Sequence, residues 1–421
     1  MACPELNPKQ PPLSYGIASF KPEDYNDPAA LIAPLAKAGF KVLTLVPTFE
    51  AETQELNVTY ELGHGRKRAR KVVKITNKKT PSLDAIKALA IAGIKADMHV
   101  RFEPHIDPDV TLQGHGETYW RAQLVFEPDV VPPSYYNVVL DPLFEIIAEI
   151  RDTPIPNLPN CKPCFSLTLG SELDAALLAF PGKWLDILNR LKQKRAKYTD
   201  LEPRLIFGHK INWDFLTVKR QNEWCSLANA VDKELGSGPT NLDPNRNMPN
   251  VMAYLAKLDY IGVSFYPPLA GPNAGGIDPN KWKQKPTDAS IGEMADLLEK
   301  QWQQFLGQID NWGPSVEIGE AGIGTPDAAD PWTVTNPARM KTPEGRNVAE
   351  HVVRGIALWA KRQADRFKNK SQSPCMAFMP ITYWTVQQFD WLGLRPEWRE
   401  YGIEALIEWV KRWNSGTFSA G

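Results

Sequence analysis

Two glutamates, Glu172 and Glu320, each end a short apolar run of the sequence. The runs, Cys164–Glu172 and Ser315–Glu320, are typical of strands buried on both faces of a parallel sheet. An unpaired buried carboxylate is costly, so we expect both side chains to point into a solvated cleft at the carboxyl ends of their strands. Two carboxyl groups that face one cleft are what glycoside hydrolysis requires. In the retaining form one protonates the leaving oxygen and the other attacks the anomeric carbon, with ~5–5.5 Å between them.

Glu317 is the alternative to Glu320, because it lies three residues earlier in the same run. In an extended strand the two side chains would point to opposite faces, so only one of them would face the cleft. The glycines around Glu320, at positions 319 and 322, favour Glu320 because they permit close approach of the backbone. A structural salt bridge at each strand end is the alternative to catalysis.

Polar and aromatic residues follow the other predicted strands. Tyr266 could hydrogen-bond the attacking carboxylate and keep it ionised. His105 and Asp107 could bind sugar hydroxyls, although a structural role for His105 stays open. Trp384 could form a platform under the sugar, because aromatic rings stack on apolar faces. Three further residues near strand ends are candidates for substrate binding: Asn212, Trp213 and Trp391.

The elements that would position these residues alternate along the whole chain. Eight strands are predicted, at Tyr15–Phe20, Lys41–Pro47, Lys95–Phe102, Cys164–Glu172, Arg204–Asn212, Leu258–Tyr266, Ser315–Glu320 and Met376–Trp384. Amphipathic helices are predicted at Pro28–Ala38, Ser82–Ala92, within Pro133–Arg151, and at Trp184–Lys197, Ile291–Phe305, Asn347–Phe367 and Ile403–Trp413. Alternation of this kind implies parallel strands with helical crossovers. The sequence therefore predicts an α/β fold, a single (β/α)8 TIM barrel with long βα loops.

The 421 residues suit one such barrel, and no linker divides them. Residues 1–14 would form an N-terminal extension and residues 415–421 a C-terminal tail. The formal net charge of −1 argues against nucleic acid or an anionic membrane as a partner. We expect the basic run Arg66–Lys71 to lie in a solvated loop after the second strand. No apolar run is long enough to span a membrane, and we expect a monomer whose partner is a carbohydrate substrate.

The cysteines and the first residues say less about function. Cys161 and Cys164 form a C-x-x-C pair, which we interpret as two thiols in a loop because no second pair at metal-binding spacing accompanies them. No cofactor and no metal are expected. The first residues lack a basic segment followed by an apolar one. We therefore expect either a cytoplasmic protein or one written without a removed signal peptide.

Several short motifs together resemble glycoside hydrolase family 113, the β-mannanases of clan A, which are retaining β/α barrels. The motifs lie at Leu45–Phe49, Thr80–Asp84, Glu103–Asp107, Gly170–Leu173, Ile211–Asp214, Leu258–Val263 and Gly319–Gly322. The resemblance implies that Glu172 is the acid/base, Glu320 the nucleophile and Tyr266 the partner of the nucleophile. It departs from the family at Glu103, where the family has lysine, and at Ser171, which stands before the acid/base and is a further candidate for substrate binding.

The sequence predicts a retaining glycoside hydrolase of β-linked polysaccharide or oligosaccharide, with β-1,4-mannan as the first choice. Two alternatives stay open: another clan A specificity, such as a β-glucanase or an exo-acting β-glycosidase, and a non-catalytic carbohydrate-binding barrel. Long Pro-rich loops, 109–132 and 267–287, are expected to shape the cleft.

Overall fold

The computed structural model describes most of the chain. The described residues are 11–19, 21–61, 66–109, 121–130, 134–157, 161–202, 204–213, 244–271, 274–307, 309, 312–321, 342–367, 380–384, 392 and 404–416, with the side chains of 56–61, 66–69, 244–248, 279, 305 and 384 left aside. Much of the predicted loop 109–132 and all of Trp391 lie outside them.

Eight parallel strands close into a barrel. They are β1 (Leu13–Ala18), β2 (Val42–Val46), β3 (His99–Phe102), β4 (Phe165–Ser171), β5 (Leu205–Asn212), β6 (Tyr260–Phe265), β7 (Ser315–Ala321) and β8 (Ile381–Trp384). Neighbours in the barrel are neighbours in this numbering, and β8 pairs with β1 to close the ring. The predicted (β/α)8 barrel is confirmed, and β1 begins at Leu13, within the predicted N-terminal extension.

Helices lie between the barrel strands. They are α1 (Pro28–Lys37), α2 (Leu83–Lys95), α3 (Asp141–Ile150), α4 (Asp174–Ala179), α5 (Pro181–Ala196), α6 (Pro244–Leu255), α7 (Asp288–Leu306), α8 (Pro343–Arg362), α9 (Ala364–Phe367) and α10 (Glu404–Asn414). Side chains at their N-caps explain where several of them begin. Asp27, Ser82, Thr287 and Thr342 each accept a hydrogen bond from the backbone N–H three residues further on. Among the described residues, no helix is long and apolar enough to cross a membrane.

A four-stranded side sheet accompanies the barrel, and the sequence analysis missed it. Its hairpin pairs Thr48–Glu61 with Arg66–Thr76, and the short strands His105–Pro108 and Leu124–Val125 flank the hairpin. The basic run Arg66–Lys71 therefore lies in a strand, and the prediction of a loop was wrong. Acidic residues of one hairpin strand lie opposite basic residues of the other, as in the pairs Glu52–Lys74 and Glu55–Arg70. Opposite charges across a strand pair stabilise it, which explains the long charged run.

Only one cysteine of the C-x-x-C pair is a thiol, so the prediction of two thiols was wrong. Cys164 is disulfide-bonded, whereas Cys161 is a free and buried thiol. Cys164 directly precedes β4, and its carbonyl oxygen accepts a hydrogen bond from Val100 of β3. The disulfide is thus anchored at the start of the strand that leads to Glu172.

The barrel interior is polar, not filled only by aliphatic side chains. Arg101 of β3 donates to Glu317 of β7, and its guanidinium lies 5.1 Å from the ring centre of Tyr260 on β6. The hydroxyl of Tyr260 in turn hydrogen-bonds Thr168 of β4 at 2.8 Å. This network connects four strands across the barrel, directly beneath the mouth that the catalytic candidates occupy.

Candidate active site

A β-bulge places Glu320 at the mouth of the barrel. Ile318 pairs with Val263 of β6, but the next pair joins Glu320 to Ser264, so Gly319 is an extra residue in β7. A bulge of this kind re-aims the side chains that follow it. Glu317 and Glu320 consequently both contact groups of the barrel interior. The prediction that they point to opposite faces was wrong, because it assumed regular alternation.

Glu317 occupies a deeper position than Glu320. Its side chain is 1% exposed and forms an ion pair with Arg101, whose side chain is also 1% exposed. Glu320 contacts Lys210, Ser264 and Tyr266, which lie further toward the carboxyl ends of their strands. Of the two carboxylates, Glu320 is therefore the one at the mouth, and Glu317 belongs to a structural ion pair.

Glu172 follows β4 and has a strained backbone. Its φ of 55° lies in the left-handed region, which residues other than glycine adopt at a cost. A register shift precedes it, because Thr168 pairs with Gly208 whereas Ser171 pairs with Lys210. Its backbone N–H donates to the carbonyl oxygen of Lys210 at 2.9 Å, which holds this conformation in place. Strain of this kind is found most often at functional sites.

Glu172 and Glu320 belong to one site although β5 and β6 separate their strands. Burial raises the pKa of Glu320, Lys210 lowers it, and the negative charge of Glu172 raises it again, with a net rise above the ordinary value. The charge of Glu172 also contributes to raising the pKa of Tyr266. The contacts agree with this, since the backbone N–H of Glu172 donates to the carbonyl oxygen of Lys210, and Nζ of the same lysine donates to Oε2 of Glu320.

Both oxygens of Glu320 accept hydrogen bonds. Oε1 accepts from the hydroxyl of Tyr266. Oε2 accepts from Nζ of Lys210 at 2.7 Å and from the hydroxyl of Ser264 at 3.5 Å. Burial, followed by the charge of Glu320, raises the pKa of Tyr266 well above its ordinary value, so the phenol keeps its proton and donates it. The contact between Tyr266 and Glu320 is the one that the resemblance implied.

Lys210 lies at the centre of a cluster that sequence reasoning missed. Its Nζ contacts Glu103 and Glu320, and it lies 3.4 Å from Nε2 of His105. Burial would lower the pKa of Lys210, but the charges of Glu103, Glu320 and Glu172 outweigh it and raise the pKa. Burial lowers the pKa of His105 well below its ordinary range, so the ring is neutral and can accept from the ammonium.

The ligand atoms of Glu103, His105 and Glu320 lie within 4.8 Å of one another, a spacing that could hold a metal ion. Nζ of Lys210 contacts all three of these side chains. The ammonium therefore stands where a cation would bind, and it satisfies the same oxygen and nitrogen atoms. The cluster fits a lysine better than a metal.

Arg121 links two of the predicted site residues. It donates to Oδ1 of Asp107 through Nε at 3.1 Å and Nη2 at 2.9 Å, and to Oε2 of Glu172 through Nη1 at 2.9 Å. The sequence analysis did not single out Arg121, because it lies far from any predicted strand end. Its contact with Glu172 favours the ionised form of that carboxylate.

The remaining residues predicted to bind substrate differ in how deeply they are buried. Ser171 and Asn212 are buried, and the amide of Asn212 donates to Asp174 at 2.6 Å. Trp213 is half-buried at the end of β5. Trp384 ends β8, but its side chain, like the whole of Trp391, lies outside the described part of the structure. Their roles in binding a sugar stay predictions.

Lys210 could have been found by the reasoning that found the glutamates. It stands within the apolar run Leu205–Asn212, where a charged side chain is as costly as a carboxylate. Glu103 follows the third strand in the same way. The sequence could not show that these two residues meet, because the strands that lead to them are not adjacent in the barrel.

Solved structures similar to this chain include several glycoside hydrolases. The chain is 12% identical to a GH113 β-mannanase from Alicyclobacillus acidocaldarius, with a TM-score of 0.43 over 97% of this chain and 98% of that one. It is 15% identical to an endo-laminarinase from Formosa Hel1_33_131, with a TM-score of 0.44 over 89% and 77% of the two chains. It is 10% identical to an endo-β-1,4-mannanase from Thermotoga petrophila, with a TM-score of 0.38 over 97% and 78%.

A GH113 β-mannanase is thus among the solved structures similar to the chain, as the motif resemblance predicted. No protein-family model matches the sequence, and neither does any curated protein. The function is therefore argued below from the residues of the site.

Proposed function

We propose that the protein is a retaining glycoside hydrolase that cleaves β-linked polysaccharide or oligosaccharide. One observation supports this most directly: Lys210 links the two glutamates at the barrel mouth, because its carbonyl oxygen accepts from the backbone N–H of Glu172 and its ammonium donates to Oε2 of Glu320. Glu320 in addition accepts hydrogen bonds on both of its oxygens. A nucleophile must be ionised and held in place, and these donors favour the ionised form of Glu320 and fix the orientation of its carboxylate.

In the first step Glu320 attacks the anomeric carbon. A bond forms between its carboxylate oxygen and that carbon, while the bond from the carbon to the leaving oxygen breaks and Glu172 supplies the proton. In the second step Glu172 takes a proton from water, the water oxygen bonds to the anomeric carbon, and Glu320 leaves as a carboxylate. Tyr266 and Lys210 stabilise the charge that returns to Glu320.

Arg121 has a definite part in this scheme. Its guanidinium pairs with the carboxylate of Glu172, and an adjacent positive charge suits the ionised form that the second step needs. The first step needs Glu172 protonated. We infer that a bound sugar weakens the contact between Arg121 and Glu172, while Asp107 keeps the guanidinium in place through its two hydrogen bonds.

The substrate we propose first is β-1,4-mannan, and it depends on the motif resemblance described above. A β-glucanase or an exo-acting β-glycosidase would use the same two carboxylates. We further propose that the chain forms one catalytic domain, acts as a monomer and needs no metal or organic cofactor. Hydrolysis assays of purified protein on β-mannan, β-glucan, xylan and aryl β-glycosides would identify the sugar.

The mechanism predicts the behaviour of Glu320→Ala. This variant should lose at least about 10⁴-fold in kcat on an aryl β-glycoside, because no covalent intermediate can form. Azide should restore part of the rate, since it fits the space of the missing carboxylate, and the product should then have inverted configuration. The measurement is release of the aryl alcohol together with NMR of the sugar product.

The exposed Glu408 of α10 provides the matched control, and Glu408→Ala should keep the activity of the unchanged protein. Normal turnover by Glu320→Ala would refute the assignment. Binding of oligosaccharide by the unchanged protein without any hydrolysis over days would support the non-catalytic alternative instead.

A further inference from the structure

Lys210 is a fully buried ammonium whose charge two carboxylates share. Its side chain is 0% exposed, that of Glu103 is 1% exposed and that of Glu320 is 9% exposed. Removing an ammonium from water costs several kcal/mol unless anions compensate it. Only Glu320 of these two carboxylates belongs to the proposed chemistry, so the presence of Glu103 needs its own explanation.

We propose that Lys210 is a positioning residue for the nucleophile Glu320, and that Glu103 determines how much of the lysine's charge acts on it. The proposal rests on the proposed function, because it assigns Glu320 the attack on the sugar. It goes beyond that function in naming two residues from different strands that adjust the nucleophile as a pair.

The first argument concerns what happens without the ammonium. Oxygen atoms of Glu103 and Glu320 lie within 4.8 Å of each other, and both side chains are buried. Two carboxylates at such a separation do not both ionise readily, and the pair holds a proton to a higher pH. A proton on Glu320 would block its attack. Lys210 therefore keeps Glu320 available as a nucleophile.

The second argument concerns what happens without Glu103. The ammonium would then act on Glu320 alone and would stabilise its anion more strongly. A carboxylate that is stabilised in this way attacks more slowly but leaves more easily. Glu103 thus balances the two half-reactions, because attack needs a reactive carboxylate and release needs a stable one.

Other charged groups around the pair act on it less directly. Glu172 lies near both Lys210 and Glu320, and its charge contributes to raising the pKa of each of them. Arg121 pairs with both Glu172 and Asp107, and the charge of Glu320 also acts on it. Arg101 and Glu317 lie beneath the cluster, but they form an ion pair whose charges largely cancel. Tyr266 and Ser264 contribute uncharged donors to Glu320. The ring of His105 lies 3.4 Å from Nζ of Lys210 and 3.7 Å from Glu103, and burial together with the charges of Arg121 and Lys210 lowers its pKa.

The test is a double-mutant cycle with Lys210→Met, Glu103→Gln and the combined variant. The pH profile of kcat/KM on an aryl β-glycoside is measured for each. For Lys210→Met we expect the acidic limb to move up by about one pH unit, which lowers kcat/KM on that limb by about tenfold. Loss of the hydrogen bond that holds Glu320 should lower kcat/KM by about tenfold more at every pH. For Glu103→Gln the acidic limb should move down, and kcat on a substrate with a poor leaving group should fall.

The combined variant separates a charge effect from a packing effect. It removes both the ammonium and the competing carboxylate, so it should recover about tenfold or more over Lys210→Met alone. Lys192→Met is the control, because Lys192 of α5 donates to the carbonyl oxygen of Lys257 away from the site. It should leave the profile unchanged. The proposal would be overturned if the losses in kcat/KM of Lys210→Met and Glu103→Gln simply added in the combined variant and the acidic limb of the pH profile did not move.

A second readout does not depend on hydrolysis. In Lys210→Met the raised pKa of the carboxylate pair stabilises the fold at low pH, and this contribution is lost as the pH rises. The melting temperature of Lys210→Met should therefore fall from pH 5 to pH 8 more than that of the unchanged protein, and the combined variant should not show the extra fall. If the unchanged protein cleaves no sugar, the proposed function fails. The melting curves still decide whether Glu103 and Glu320 share the charge of Lys210, and an equal fall in all variants would refute this.

Discussion

The donors to Glu320 include two of different kinds, the neutral phenol of Tyr266 and the ammonium of Lys210. Tyr266→Phe removes only the phenol. Because that hydrogen bond lowers the pKa of Glu320, its loss should raise the pKa and move the acidic limb of kcat/KM to higher pH. We expect kcat/KM to fall by about 10- to 100-fold, measured on an aryl β-glycoside from pH 4 to pH 8.

Tyr383→Phe is the matched control for Tyr266→Phe. Tyr383 lies in β8, and its buried hydroxyl donates to the carbonyl oxygen of Val353 on α8 at 2.9 Å. Loss of this hydrogen bond should cost about 1 kcal/mol of unfolding free energy without moving the pH profile. If both variants moved the profile equally, Tyr266 would have no special relation to Glu320.

The sequence was sufficient to predict some of these residues and not others. Glu172, Glu320 and Tyr266 follow strands whose apolar character is evident in the sequence, so their position at one edge was predictable. Arg121 was not, because only the fold brings it to Glu172 and Asp107. Lys210 is visible in the sequence as a charged residue within an apolar strand. Its contact with Glu103 was not predictable, because Glu103 follows a strand two places away in the barrel.

At the level of elements, the register shift in β7 determines which carboxylate reaches the mouth. Its extra residue is Gly319, and a Cβ added there would lie 2.9 Å from Cδ of Lys210. Gly319→Ala should therefore displace the lysine from Glu320. We expect a loss of about 1–3 kcal/mol in unfolding free energy and of about tenfold or more in kcat/KM, from urea unfolding and initial rates.

Gly182→Ala is the control, because a Cβ at Gly182 of α5 meets no atom within 4 Å. It should leave both activity and stability near those of the unchanged protein, or raise stability slightly. A Gly319→Ala variant as active as Gly182→Ala would show that Lys210 tolerates displacement.

Periodicity predicted the barrel strands well but could not predict the bulges. A single extra residue in a strand leaves composition and apolar length unchanged, and it becomes visible only in the pairing with the neighbouring strand. The side sheet was missed for a related reason. Its hairpin strands are rich in charge, so they lack the apolar alternation by which strands are recognised.

For the molecule as a whole, buried histidines make the fold sensitive to acid. Burial, with a smaller contribution from Lys41, lowers the pKa of His99 to about 4. The unfolded chain protonates this ring near pH 6.5, so the stabilisation is complete above pH 6.5 and is lost as the pH falls toward 4. The loss for this residue is about 3 kcal/mol.

His99→Gln should reduce this acid sensitivity. Although the variant loses the hydrogen bond that Nδ1 of His99 accepts from Cys164, it has no group to protonate. The difference in melting temperature between the two proteins should therefore shrink between pH 7 and pH 4. A constant difference over that range would mean that His99 is not the group that responds.

The cluster of Glu103, His105 and Glu320 has space for one positive charge, and that charge need not come from a residue of β5. A basic side chain at position 103, which follows β3, would extend into the same space and meet Glu320. In relatives of this protein, lysine at either position should accompany an uncharged or acidic residue at the other, and two lysines together should be absent. Exchange of the lysine between positions 103 and 210 would then appear as a correlation between these two positions in the sequences of the relatives.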